Sequence, residues 1–376
     1  MTRIFLSPPD VGPLEREHLL RALDEGWVAP VGPDLTAFED EVATLTGWPG
    51  AVALASGTAA LHLALLASNV LPGDDVFVST FTFAASVNAI RYCGASPVFI
   101  DSEWSSWNMS PVLLESALRA AERINRLPKA VVVVDLYGQC ADYTPIMALC
   151  RERGITVIED SAEAIGATYR GQAAGTLADV GLFSFNGNKI MTTSGGGMLI
   201  APTLAVADRA RHLATQARQP TPHYEHTEVG YNYRLSNLLA ALGRAQLARL
   251  PSFISHRRAI NDRYRELLAD VAGCTFMPIP PWSEWNGWLT CVVFDDADLA
   301  DRVGDALAAV EIESRPLWKP MHLQPAFDGF PACVDGTSQY LFEHGRCLPS
   351  GSSLTIDQVD EVASIVRTTA DVMARL

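Results

Sequence analysis

Lysine is nearly missing from this 376-residue chain: it occurs only at Lys129, Lys189 and Lys319, and the rest of the 28 basic residues are arginine. Guanidinium stays protonated and cannot replace a primary amine that must condense with a carbonyl, so each lysine is informative. Paired cysteines are missing too. Seven cysteines show no C-x-x-C and no His–Cys ligand spacing, so no metal site is expected, and the odd count fits reduced thiols in a cytoplasm. Charged residues make up only 19% against 48% hydrophobic, which excludes a disordered chain and favours α/β. The net charge of −15 argues against a nucleic-acid or anionic-membrane partner, while leaving room for a locally positive site that takes an anionic small molecule. The N-terminus has no apolar signal core. Residues 42–73 carry no charge at neutral pH, but Thr46, Gly47, Pro49, Ser56, Gly57, Thr58 and His62 interrupt them. A strand, a tight loop and a buried helix fit this stretch better than a membrane span. Neither G-x-G-x-x-G nor G-x-x-x-x-G-K-[ST] occurs, which removes the dinucleotide and nucleoside-triphosphate fingerprints and disfavours a nicotinamide dehydrogenase.

What is present is an alternation of short apolar runs with helix-length segments over the first two thirds. Strands are expected near residues 51–55, 76–79, 97–100, 130–135, 155–159, 180–185 and 197–200, with helices between most of them. This pattern implies parallel strands joined by right-handed crossovers, in a sheet covered on both faces. After about residue 201 the pattern changes to a long helix over 235–271, interrupted at Pro251, then a Pro-rich break at 278–281 and a smaller α+β region. The expected division is a large domain over 1–250, with a mostly parallel central sheet, and a small α+β domain over 251–376.

Four signals bear on chemistry. Lys189 follows a strand in the loop N-G-N-K, shortly before T-T-S-G-G-G, and can reach into a cleft; Lys129 reads as a solvated charge at a strand entry. Ser56-Gly57-Thr58 joins a strand to an apolar helix, where free N–H groups and the helix dipole make a phosphate cup, or simply an N-cap. Glu159-Asp160 ends a strand at the usual ligand edge of an α/β sheet, where an aspartate can hold a protonated ring nitrogen or cap a helix. Phe81, Thr82 and Phe83 follow another strand, so an aromatic there can stack on a flat ring or pack in the core. Jointly they ask for a ligand with a phosphate, a ring nitrogen and an aldehyde. Pyridoxal 5′-phosphate (PLP) has all three.

The chain resembles fold-type-I PLP enzymes, and more narrowly the DegT/StrS-type sugar-nucleotide aminotransferases. The resemblance rests on S-G-T-A-A-L at 56–61, F-T-F at 81–83, E-D-S-A-E-A-I-G at 159–166, F-S-F-N-G-N-K at 183–189, G-G-G-M at 195–198, G-Y-N-Y-R-L-S at 230–236 and M-H-L-Q-P-A-F at 321–327. It implies that Lys189 forms the Schiff base and shuttles a proton, that Asp160 pairs the ring nitrogen and that Phe83 stacks on the ring. It also implies that Ser56, Gly57, Thr58 and Ser184 hold the phosphate. Glu163 stands beside the ring hydroxyl where many members carry glutamine. Asn232 would reach the partner subunit's cofactor, implying a homodimer with shared sites. Some relatives replace the lysine with histidine and dehydrate sugars, so Lys189 favours transamination.

The resemblance, with N-G-N-K and the opening P-P-D, implies L-glutamate and a nucleotide-linked 4-keto-6-deoxy sugar as substrates, aminated at C4, with C3 as the near alternative. A PLP-dependent dehydratase or epimerase and a non-catalytic PLP-fold protein are the rival classes. Arg315, Lys319 and His322, in R-P-L-W-K-P-M-H, are candidates to meet the sugar or diphosphate, or else form a surface loop. Tyr224 and His226 are weaker candidates. Antibiotic biosynthesis and cell-surface glycan synthesis both fit.

Overall fold

The computed structural model describes residues 3–374. Nine strands precede residue 202: β1 (Gly50–Leu54), β2 (Asp75–Ser79), β3 (Ser96–Ile100), β4 (Ala130–Val134), β5 (Thr156–Asp160), the short β6 (Thr168–Tyr169) and β7 (Gln172–Ala173), β8 (Val180–Ser184) and β9 (Gly197–Ala201). Six follow: β10 (Cys274–Phe276), β11 (Ser283–Glu284), β12 (Thr290–Phe294), β13 (Arg315–Pro316), β14 (Ala332–Cys333) and β15 (Gly345–Leu348).

The central sheet has eight strands in the order β1-β9-β8-β5-β4-β2-β3-β14. Pairing is parallel from β8 through β5, β4, β2 and β3 to β14. Strand β9 runs antiparallel to both neighbours, so the sheet is mostly parallel, as expected, with one reversed strand. The cause is local: residues 185–196, which link β8 to β9, contain no helix to make the crossover that a parallel partner requires. Strands β1, β4 and β9 are buried along their whole length. The helices Gly57–Ala67, Ala84–Tyr92 and Leu204–Ala214 pack on one face. On the other face lie Pro111–Arg123 and Tyr143–Arg151, together with Pro33–Thr46 and the first half of a long helix. That double cover explains the unbroken valines of β4.

The long helix, Asn237–Leu267, corrects the expected interruption: Pro251 lies inside it, and the helix continues through. Its first half packs with the large-sheet elements, while Ile260, Tyr264 and Leu268 pack with a four-stranded antiparallel sheet, β10-β12-β15-β13. The helices Ala297–Ala309 and Ile356–Met373 complete that smaller core, and the second starts on a Thr355/Gln358 capping box. The chain passes between the two bodies more than once. Ile4 bridges to Ile312 in the smaller body, and β14, late in the sequence, returns to the edge of the central sheet.

Candidate active site

Strands β1, β2, β4, β5 and β8 all end at one edge of the central sheet, and a cavity of about 300 Å³ opens there. Open α/β sheets bind ligands at this edge. Eight of the residues singled out from sequence line it: Ser56, Gly57, Thr58, Phe83, Asp160, Glu163, Ser184 and Lys189.

The phosphate end forms where β1 turns into the helix Gly57–Ala67. Ser56 is the N-cap, and its Oγ accepts the Ala59 N–H at 3.0 Å. The Gly57 and Thr58 amides belong to the first turn, whose N–H groups lack helical acceptors, and both residues face the cavity. Gly57 is required by close approach: a Cβ there would lie 2.8 Å from Ser184 Cβ and 3.1 Å from Ser184 Oγ. The helix start and the end of β8 therefore touch, and their polar groups converge as an anion site needs.

The ring end is built on β5. Asp160 is 4% exposed, and Ser86 donates to its Oδ2 at 2.7 Å, with Thr82 Oγ1 2.9 Å from Ser86 Oγ. Burial raises the Asp160 pKa, while Ser86, the Ala162 N–H and the Lys189 charge pull it down. A buried carboxylate in that balance favours a cationic partner, and a protonated ring nitrogen is one. Phe83, as N-cap of Ala84–Tyr92, is 61% exposed and tilts against Trp318 with ring centroids 5.5 Å apart. Phe81 instead packs in the core, edge-on to Tyr137.

Lys189 Nζ lies 3.3 Å from Glu163 Oε1 and 4.2 Å from the centroid of the Trp288 ring. Burial raises the Glu163 pKa against the pull of the Lys189 charge. Its other oxygen accepts the Tyr137 N–H at 2.6 Å. The wall behind Lys189 is tied by long-range bonds: Trp288 Nε1 and Ser7 Oγ both donate to the Asn188 carbonyl, at 2.9 and 3.0 Å. Asn286 Nδ2 donates to the Glu163 and Ile165 carbonyls. Gly138, at φ +90°, leaves room for Asn286, whose Oδ1 would lie 1.9 Å from a Cβ at that position. Trp288, Trp318, Ser86 and Asn188 were missed as site residues. Ser86 carries a weak local signal, one helical turn after Phe83, whereas Trp288 arrives from a hundred residues away with none.

The remaining candidates separate. Arg315 and Lys319 line a second cavity of about 800 Å³ that shares Thr82, Phe83, Asn188, Trp288 and Trp318 with the first. Arg315 is paired with Glu313 at 2.8 Å. His322 lines neither cavity; its Nδ1 meets Thr80 Oγ1 at 2.7 Å, and burial lowers its pKa. Asn232 is exposed, accepts from Gln216 Nε2 at 3.1 Å and does not reach its own chain's cavity. Tyr224 is 79% exposed with Arg218 over its ring, and His226 Nδ1 meets the Gln216 carbonyl at 2.8 Å, so neither touches the cavities. Lys129 is an exposed charge at the entry to β4.

An amine beside a carboxylate, a second buried carboxylate and an anion cup around one small cavity suit PLP. Comparison with known proteins agrees. The profile of the DegT/DnrJ/EryC1/StrS aminotransferase family matches residues 9–367. The chain is 46% identical over 370 residues to the putative pyridoxal phosphate-dependent aminotransferase EpsN of Bacillus subtilis, covering 97% of this chain and 95% of that one. It is 36% identical over 365 residues to the GDP-perosamine synthase of Caulobacter vibrioides, covering 96% and 97%. Among solved structures, the aminotransferase TlmJ of Streptoalloteichus hindustanus superposes with a TM-score of 0.91 at 31% identity, covering 99% of this chain and 100% of that one. The PLP form of the putative sugar aminotransferase Spr1654 of Streptococcus pneumoniae gives 0.92 at 27% identity, with 98% and 99% covered. The cofactor is pyridoxal phosphate, and the chain belongs to the DegT/DnrJ/EryC1/StrS family of PLP-dependent sugar aminotransferases.

Proposed function

We propose that this chain moves the amino group of L-glutamate onto C4 of a nucleotide-linked 4-keto-6-deoxy sugar. The observation that carries the reading is the pair of joined cavities. The narrow one holds Lys189, Asp160 and the anion cup. The wider one, entered past Phe83 and Trp318, carries Arg315 and Lys319 and is large enough for a sugar and part of a nucleotide. Cations at its rim suit a diphosphate. The names of relatives support the substrate class. One, from Saccharopolyspora spinosa and 32% identical over 381 residues, is a dTDP-4-dehydro-2,3,6-trideoxy-D-glucose 4-aminotransferase. Amination at C3 is the second reading, supported by a UDP-N-acetyl-3-dehydro-alpha-D-glucosamine 3-aminotransferase from Acidithiobacillus ferrooxidans, 35% identical over 335 residues.

In this reading PLP supplies an aldehyde that condenses with amines and a ring that accepts an electron pair. The Gly57 and Thr58 amides, with the Ser56 and Ser184 hydroxyls, bind its phosphate. Asp160, braced by Ser86, holds a proton at the ring nitrogen. Phe83 covers one face of the ring. Lys189 Nζ would hold the aldehyde; once free, its amine would take the proton from the donor's Cα in the first half-reaction and deliver one to the sugar carbon that gains the amine in the second. Glu163 and Trp288 fix the position of Nζ and keep water from it. Two copies share their sites, Asn232 of each serving the other; its exposed position outside its own cavity supports this.

The test is the visible spectrum of the purified protein before and after L-glutamate, followed by turnover with 4-keto-6-deoxy nucleotide sugars and NMR location of the new amine. Bleaching of the yellow band and a C4 amine are expected. A band indifferent to glutamate would reject the donor, a C3 amine would reject the position, and repeated turnover by Lys189→Ala would reject the mechanism.

A further inference from the structure

Behind Asp160 lies a group of polar side chains that the transamination reading does not use. Asp135, at the end of β4, and Glu159, in β5, are both fully buried, and the Ser161 hydroxyl sits between them. Ser161 Oγ is 2.8 Å from Asp135 Oδ2 and 2.7 Å from Glu159 Oε1. A hydroxyl carries one hydrogen and can donate to only one of two acceptors. Two ionised carboxylates would leave one of these contacts oxygen against oxygen, with no proton between them, where all three side chains are fully buried. The three residues therefore hold one carboxyl proton.

Its place follows from the other bonds. Glu159 accepts the Gly175 N–H at Oε1 and the Leu177 N–H at Oε2, so both oxygens already serve as acceptors. Asp135 Oδ1 accepts the Ala141 N–H and the Tyr143 hydroxyl, at 3.1 and 3.0 Å, while Oδ2 takes no N–H donor and meets Ser161, with the Glu159 carboxylate close by. Oδ2 is thus the oxygen free to carry hydrogen. We propose that Asp135 is a neutral acid that donates to Ser161, which donates to an ionised Glu159, and that this one-proton chain is the positioning device for Asp160. Burial, then the neighbouring Glu159 charge, push the Asp135 carboxyl well above its usual range, in agreement with the geometry.

The link to Asp160 is direct. Glu159 and Ser161 are its two neighbours in sequence, and the Asp135 N–H donates to the Asp160 carbonyl at 3.0 Å. The backbone around Asp160 is held on three sides by one hydrogen-bonded unit. The proton also leaves a single negative charge behind Asp160 where there would otherwise be two, and like charge there disfavours an ionised Asp160. The inference rests on Asp160 as the carboxylate that meets the ring nitrogen.

The variants Asp135→Asn and Glu159→Gln, with Ser161→Ala as a third, test it in apo-protein and in PLP titrations followed by absorbance. An asparagine amide can replace a protonated acid as donor to Ser161, so Asp135→Asn is expected to keep the melting temperature and to bind PLP within about twofold. Glu159→Gln turns an acceptor toward N–H donors, and Ser161→Ala cuts the chain. Each is expected to weaken PLP binding about tenfold or more. The infrared C=O stretch of a neutral carboxylic acid in the apo-protein at neutral pH is expected to diminish in Asp135→Asn. An unchanged band, or an Asp135→Asn variant as damaged as Glu159→Gln, overturns the proposal even if the other variants fail to fold. Failure of the Asp160 reading is separable: Asp160→Asn would then bind PLP with an unaltered spectrum, whatever the band shows.

Discussion

Adding one methyl group at Gly57 tests whether the anion cup depends on contact between the start of the helix Gly57–Ala67 and the end of β8. The Gly57→Ala methyl would lie 2.8 Å from Ser184 Cβ, an atom whose position the backbone fixes, so rotating the Ser184 side chain cannot relieve the clash and backbone must shift. Overpacking of this kind costs about 1–3 kcal/mol. If the cost falls wholly on the holo state, PLP affinity drops roughly 5- to 150-fold; any part borne by the apo-protein appears as a lower melting temperature instead. Both are measured, PLP affinity by absorbance titration and stability by thermal unfolding. The double variant Gly57→Ala/Ser184→Gly removes the obstructing Cβ along with a proposed phosphate ligand. It is expected to recover the apo stability while recovering only part of the affinity, a non-additivity that a cycle detects. A Gly57→Ala protein with unchanged affinity and unchanged melting temperature would refute the close-approach argument.

Ser86→Ala removes the hydroxyl that donates to Asp160 Oδ2, and a hydrogen bond to a charged group is worth about 1.5–3 kcal/mol. A fall in kcat of roughly ten- to a hundredfold is expected, and since Ser86 holds the Asp160 pKa down, the acid limb of the kcat profile moves to higher pH. Trp318→Ala opens the passage between the two cavities; KM for the nucleotide sugar is expected to rise by about tenfold while the half-reaction with glutamate is nearly unaffected, and equal losses in both would place Trp318 in the chemistry instead. Burial alone would raise the Asp34 pKa, but hydrogen bonds from Arg21, Arg244 and Asn237 outweigh it and lower the folded value. A carboxyl lowered on folding stabilises above its unfolded value, near 3.8, and that stability is lost as pH falls through the folded value. Thermal unfolding between about pH 5 and pH 3 is expected to decline less steeply in Asp34→Asn than in the parent, and identical slopes would contradict the assignment.

The division between what sequence shows and what it hides follows the range of the interactions. Ser56-Gly57-Thr58, Phe83, Asp160 and Lys189 each sit at a strand end, so periodicity alone places them at one edge of the sheet, and their residue types carry the chemistry. The reversal of β9 was hidden because its burial pattern is that of a buried parallel strand; direction is set by the helix-free link from β8, not by composition. Pro251 misled as a helix breaker because tertiary packing on both halves of Asn237–Leu267 outweighs the local cost of a missing N–H.

The wall around Lys189 was hidden for the same reason at longer range. Its bonds join Ser7, Asn188, Arg257 and Trp288, residues brought together only by the finished fold. Arg257 shows what that wall demands. It is 1% exposed and donates to Ser7 Oγ and to the Trp288 carbonyl at 2.7 Å, while burial lowers its pKa to about 10. From sequence it is one of 25 arginines with nothing to distinguish it. A guanidinium buried at such cost is retained where its fork of donors holds several groups at once. Here those groups are Ser7, which also bonds the Asn188 carbonyl, and the backbone of Trp288, whose ring faces Lys189 Nζ. The chemistry of the site is thus written in local motifs. The precision with which Lys189 is held is written in contacts between segments as far apart as residues 7 and 288, and those follow from packing alone.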